Sequence, residues 1–246
     1  QPWGPMISDN SPGKTLYGRT QPVQQLDAAV KEAMFALMSD FYEVEKNSFL
    51  ADLARKNTVI LLEDGQKKLR GFTSVAIHDL RNGKDEFRVL FSGDTIVHPD
   101  FWGSLELPRV WGRFMYETLQ ASGEKPLYWF LISSGYRTYR FLPAYFNEFF
   151  PCFDRETPVA MQNILDLAAR QLFAEDYNSD TGIVRLKNPT PLRAGISEPA
   201  QERLQNQHIA FFLQKNPGHD AGDELACITR LSWENFKPFV KRLLKG

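Results

Sequence analysis

The chain has 246 residues, enough for one large domain or for one domain with a small companion. It carries 29 Lys and Arg against 30 Asp and Glu, a net charge of −1, which speaks against non-specific nucleic-acid binding because that rests on a basic surface. Hydrophobic residues make up 43% and charged residues 24%, the mix of a folded chain rather than a disordered one. No apolar run reaches the roughly 18 residues of a membrane helix, so no membrane insertion is expected. Gln1–Gly18 has no apolar core and reads as no signal peptide. The two cysteines, Cys152 and Cys227, are too few for a disulfide framework or a zinc site, and a reducing, cytoplasmic setting is the expectation.

The first 21 residues are punctuated by Pro and Gly and read as extended, with an edge strand near Leu16, Tyr17 and Arg19. From Pro22 onward, Leu26, Ala29, Val30, Ala33, Met34, Leu37 and Met38 follow helical spacing, with Pro22 in the first turn. A second helix is predicted over Glu45–Lys56. Three antiparallel strands follow: Thr58–Glu63, Leu69–Ile77 and Phe87–Val97, with turns at Asp64–Gly65 and Arg81–Gly83. The chain breaks at Val97–Gly103. A helix then runs over Leu107–Ser122, a buried strand of the parallel type over Leu127–Ile132, and a helix over Tyr136–Glu148 that Pro143 breaks or kinks. The last third predicts a helix over Val159–Phe173, a strand over Gly182–Leu186, a loop over Asn188–Pro199, a short helix over Ala200–Gln205, a strand over His208–Leu213 and an amphipathic helix over Trp233–Leu244.

This order over residues 23–151 resembles the GNAT acyltransferase superfamily, and two segments carry the resemblance. Phe91-Ser-Gly-Asp-Thr-Ile-Val-His-Pro-Asp-Phe-Trp-Gly103 is similar to the family's fourth strand and cofactor loop. Ala144-Tyr-Phe-Asn-Glu-Phe-Phe-Pro151 is similar to its Leu-Tyr-x-x-x-Gly-Phe segment, with Phe149 in place of the glycine. The resemblance implies a mixed α/β (α+β) fold, with a splayed central sheet flanked by helices over residues 1–151 and a C-terminal extension over 152–246. It implies transfer of an acyl group, most simply acetyl, from a coenzyme A thioester to an amine. The acceptor is then a small molecule or a peptide, and an acyl carrier protein is an alternative source of the donor. The backbone of Thr95, Ile96 and Val97 would polarise the thioester carbonyl. Trp102, Gly103, Ser104 and Leu105 would form the phosphate loop, since glycine and a helix start admit a pyrophosphate. Trp102 stands at the family's Arg or Gln position, and Leu105 and Leu107 stand near its glycines. Ser133 or Ser134 holds the place of the Asn after the fifth strand. A GNAT-shaped binding protein without catalysis is the competing reading.

Tyr145 matches the family's proton donor to the leaving thiolate, against the alternative of an aromatic cluster with Phe141, Phe146 and Phe149. Asp94 interrupts an apolar strand, where a carboxylate is costly unless it is paired or faces a cleft; it is a candidate to orient the amine or take its proton, and a solvated Asp is the alternative. Glu86 and His78 are further candidate bases that the sequence does not rank. Trp102, Trp111, Tyr136 and Tyr139 read either as pocket lining or as core, and Arg137 and Arg140 either as phosphate contacts or as a solvated face. Cys152 has no signature of a nucleophile, and His208, His219 and Asp220 lack metal-ligand spacing, so no metal is expected.

Overall fold

The computed structural model describes residues 15–187, 189 and 205–245. The predicted extended arm before residue 15, most of the loop after Asn188 and the helix over Ala200–Gln205 lie largely outside them. The strands are β1 (Leu16–Pro22), β2 (Thr58–Asp64), β3 (Leu69–Asn82), β4 (Asp85–Val97), β5 (Leu127–Ser133), β6 (Tyr177–Asn178), β7 (Ile183–Val184) and β8 (Glu224–Arg230). The helices are α1 (Ala28–Ser39), α2 (Lys46–Leu53), α3 (Glu106–Ser122), α4 (Tyr136–Tyr139), α5 (Phe141–Tyr145), α6 (Val159–Phe173), α7 (Gln207–Lys215) and α8 (Pro238–Lys245). The strands form one mixed, mostly antiparallel sheet in the order β1-β2-β3-β4-β5-β8-β7-β6. The architecture is the α/β class expected.

Two compact units share the chain. Among the described residues, one holds 15–77, 92–121 and 242–245, the other 78–91, 122–187, 189 and 205–241, so β3 and β4 each contribute to both. In the first, α1 starts where the Asp27 side chain accepts the Val30 N–H, an N-cap that places the helix later than Pro22. Pro22 instead ends β1. Met34, Met38, Phe49, Leu53, Phe72 and Ile96 close this core. β1 is tied to the start of α3 by the Gly18 N–H, which donates to Glu106 Oε1 at 2.7 Å.

In the second unit, Phe91, Phe130 and Phe173 pack ring against ring. Several predictions are corrected here. The segment over His208–Leu213 is not a strand but lies in helix α7, because Asn206 caps it by accepting the His208 and Ile209 N–H groups. The helix over Tyr136–Glu148 is two short pieces that part at Arg140, ahead of Pro143, and it ends at Tyr145. The terminal helix starts at Pro238 rather than Trp233. β8, unpredicted, pairs antiparallel with β5 from Tyr128–Arg230 to Ser133–Leu225.

Candidate functional site

β4 carries an extra residue relative to β3. Near the hairpin turn Arg88 pairs with Asp79, on the same register as the strand ends Asn82 and Asp85. Farther along, Thr95 meets Thr73 and the His98 N–H donates to Arg70 O at 2.7 Å, one position out of that register. The chain absorbs the difference between Arg88 and Thr95, the stretch that contains Gly93 and Asp94. A bulge of this kind re-aims the side chains around it.

Around that stretch the first unit gathers polar groups in an apolar setting. Asp94 is half-buried. Burial, and next the charge of Asp52, push its carboxyl up to about 6, against the opposing pull of Lys56. The Lys56 ammonium is bonded by both Asp52 oxygens at 2.9 and 2.8 Å, and its side chain is only 4% exposed. A Cβ at Gly93 would lie 2.6 Å from Lys56 Cε and 2.5 Å from Ser74 Oγ. Lys56, Asp52 and Ser74 are residues that sequence reasoning missed. The available signals were the Asp52–Lys56 spacing on one helical face and a glycine inside a strand.

The other residues expected at the donor site in this unit have different fates. The Thr95 hydroxyl is shared with Thr73 at 2.7 Å, and Ile96 belongs to the core. Val97, Gly103 and Ser104 come together at one small cavity, with Leu16, Leu62, Phe101 and Leu107. Trp102 does not offer its indole to a ligand. Its Nε1–H donates to Val97 O at 2.8 Å.

A pyrophosphate needs open N–H groups at the start of α3. The Glu106 N–H is taken by Ser104 Oγ at 3.2 Å, Pro108 has none, and the Arg109 N–H donates to Leu105 O at 2.9 Å. The Leu105 and Leu107 N–H groups have no hydrogen-bond partner among the described residues. Glu106 adds a carboxylate, held below its usual range, despite burial, by Arg109 and the Gly18 N–H. The helix side of the expected loop of Trp102, Gly103, Ser104 and Leu105 therefore offers a pyrophosphate few open N–H groups. The reason is that the expected glycine positions hold bulky side chains and the helix is already capped.

In the second unit, Tyr145 is buried, stacked on Phe141 at 5.6 Å and near Phe239 at 6.4 Å. Burial raises its hydroxyl pKa well above the usual value. Phe146 and Phe149 belong to other aromatic pairs, with Trp129 and Tyr139. Ser134 is buried after β5. The preceding carbonyl, Ser133 O, accepts the Nδ2 of the fully buried Asn216, whose Oδ1 has no partner among the described residues. Tyr136 and Tyr139 are core residues rather than pocket lining, and in the first unit so is Trp111. Arg137 lies over the Tyr136 ring. Glu86 is locked by Arg81, which lowers its carboxyl and leaves it a poor base. Cys152 donates to Asp154 at 2.8 Å, and burial raises its thiol, the opposite of an activated nucleophile. Among the described residues no three His, Cys, Asp or Glu side chains converge as a metal site requires.

No protein-family model matches the chain, and no curated protein matches it. Among solved structures it is similar to Escherichia coli ElaA, at 15% identity over 59% of this chain and 95% of that one, with a TM-score of 0.37. It is similar to a conserved protein of unknown function from Enterococcus faecalis V583, described as a probable N-acyltransferase, at 10% identity over 89% of this chain and 67% of that one, with a TM-score of 0.42. A third likeness is the GNAT family N-acetyltransferase YhbS from Escherichia coli in complex with CoA, at 11% identity over 52% of this chain and 68% of that one, with a TM-score of 0.34. The chain's own elements, α1, α2, the β2-β3-β4 meander, α3, β5 and then α4 and α5, run in the order the sequence implied.

Proposed function

We propose that the protein transfers an acyl group from a thioester to an amine, with Asp94 taking the amine proton. The observation that supports this reading is a half-buried carboxyl, raised to about 6, at the irregular stretch of β4. Such a group is ionised at neutral pH yet close enough to it to accept a proton efficiently. The amine nitrogen attacks the thioester carbonyl carbon. The C–N bond forms, the C–S bond breaks and the thiolate leaves. The proton lost by nitrogen passes to Asp94 and then to solvent.

The donor is written here as substrate: an acyl thioester, with coenzyme A its simplest carrier. In this reading the donor's arm runs along the β4 backbone at Thr95–Val97, and the first turn of α3, with Glu106 capped and Pro108 lacking an N–H, offers its phosphates few donors. That feature favours a carrier-protein-bound donor as the second reading. The acceptor is an amine on a small molecule or peptide. The chemistry belongs to residues 1–151, the remainder is an extension, and the setting is cytoplasmic.

The test is thiol release from acetyl-coenzyme A and from acetyl-pantetheine over a panel of amines. Turnover with both donors is expected, and Asp94→Asn should lower it by about 100-fold or more, the usual contribution of a general base. Absence of thiol release with either donor, at any amine offered, overturns the reading.

A further inference from the structure

We propose that Lys56 is a positioning residue for Asp94: its buried ammonium, anchored by Asp52 and laid across Gly93, holds the neighbouring carboxylate in its ionised form. The proposal rests on the reading of Asp94 as the base. A lysine near the end of a surface helix ordinarily keeps its ammonium in water while its stem lies along apolar surface. Lys56 does the reverse. Its side chain is 4% exposed, while the Asp52 side chain that binds it is 45% exposed. Asp52 therefore has water available, and the ion pair alone does not account for a charge turned inward.

The strand makes room for that charge. Gly93 offers no side chain, and a Cβ there would fall 2.6 Å from Lys56 Cε, 3.3 Å from Nζ and 2.5 Å from Ser74 Oγ. The residue beside this glycine is Asp94. The charged groups that act on Asp94 are these same two, Asp52 from α2 disfavouring its ionised form and Lys56 just beyond α2 favouring it. Without the Lys56 charge, the carboxyl would have burial and a second carboxylate both working against ionisation and no neighbouring cation opposing them.

The experiment is a carbon-13 NMR titration of the Asp94 carboxyl in the full chain, in wild type, Lys56→Met and Asp52→Asn. Lys56→Met should raise the midpoint by about one pH unit or more, a tenfold gain in proton affinity. Asp52→Asn should lower it. Opposite signs are the signature of charge coupling. A merely structural role loosens the pocket, hydrates Asp94 and lowers the midpoint in both variants. A midpoint that stays or falls in Lys56→Met overturns the proposal. If Lys56→Met fails to fold, Lys56→Gln carries the same expectation. The acid limb of kcat/KM against pH should move with the titration. A midpoint that moves while that limb stays leaves the Lys56 coupling standing and overturns only the role of Asp94 as base.

Discussion

At position 93 one methyl group separates a workable strand from a crowded one. Gly93→Ala drives its Cβ into Lys56 and Ser74, both side chains that are themselves buried. Forcing extra volume into such a place costs about 1–3 kcal/mol, and chemical denaturation should show that loss. Gly71→Ala is the informative comparison. There the added Cβ would lie 2.8 Å from the Ile96 carbonyl, a backbone atom that no rotamer change can move. Gly71→Ala should therefore be the more damaging of the two, and the reverse order would mean that Lys56 and Ser74 are held more rigidly than the strand. These two glycines also mark what the sequence reveals of the site. Asp94 stands out as a carboxylate inside an apolar strand, with a glycine beside it. Lys56 does not stand out, because an Asp and a Lys four apart read as an ordinary helix-surface pair of small worth. Only the fold turns that lysine inward.

The first turn of α3 illustrates the same limit for an element. Its boundary and its apolar face are written in the sequence, yet how its end is satisfied is not, since the partner of Glu106 is the Gly18 N–H, 88 positions away. The carboxylate is half-buried and also holds Arg109. Glu106→Gln weakens a charge-assisted bond that secures β1, at a cost of about 1–3 kcal/mol. Amide hydrogen exchange should show this at Gly18 and its β1 neighbours before it shows in α1. Uniform protection across both elements would mean that the β2 ladder alone holds β1. Helix α7 was misread for a different reason. Ile209-Ala-Phe-Phe-Leu213 is a short apolar run, and periodicity does not separate a strand from a buried helix at that length. The deciding signal, Asn206 as a cap, lies just outside the run. β8 escaped notice because it is buried on both faces and shows no alternation for a pattern to catch.

For the whole molecule, these charges predict a pH dependence of stability with two opposed limbs. Arg88 holds Asp79 below the usual carboxylate range, and Arg155 with Cys152 takes Asp154 down to about 2. Groups lowered on folding contribute stability that is present above their unfolded pKa and is lost as pH falls toward the folded one. Acidification below about pH 4 should therefore destabilise the chain. Asp94 works the other way. Its folded value, about 6, stands above the unfolded 3.8, so the folded chain holds the proton that the unfolded chain releases. Between those two values the folded state binds more protons, and stability falls as pH rises through the interval. Above it the penalty is complete, on the order of 1–3 kcal/mol once the partial exposure of the group is allowed for. Asp94→Asn cannot ionise and escapes that limb while keeping the acid one. Urea denaturation of both proteins between about pH 4 and pH 7 should give curves that converge at the acid end and part steadily toward neutrality, with the variant the more stable. Parallel curves would mean that Asp94 titrates like a solvated carboxylate. The burial that suits it to accept a proton would then be absent, and with it the physical basis for placing the chemistry at β4.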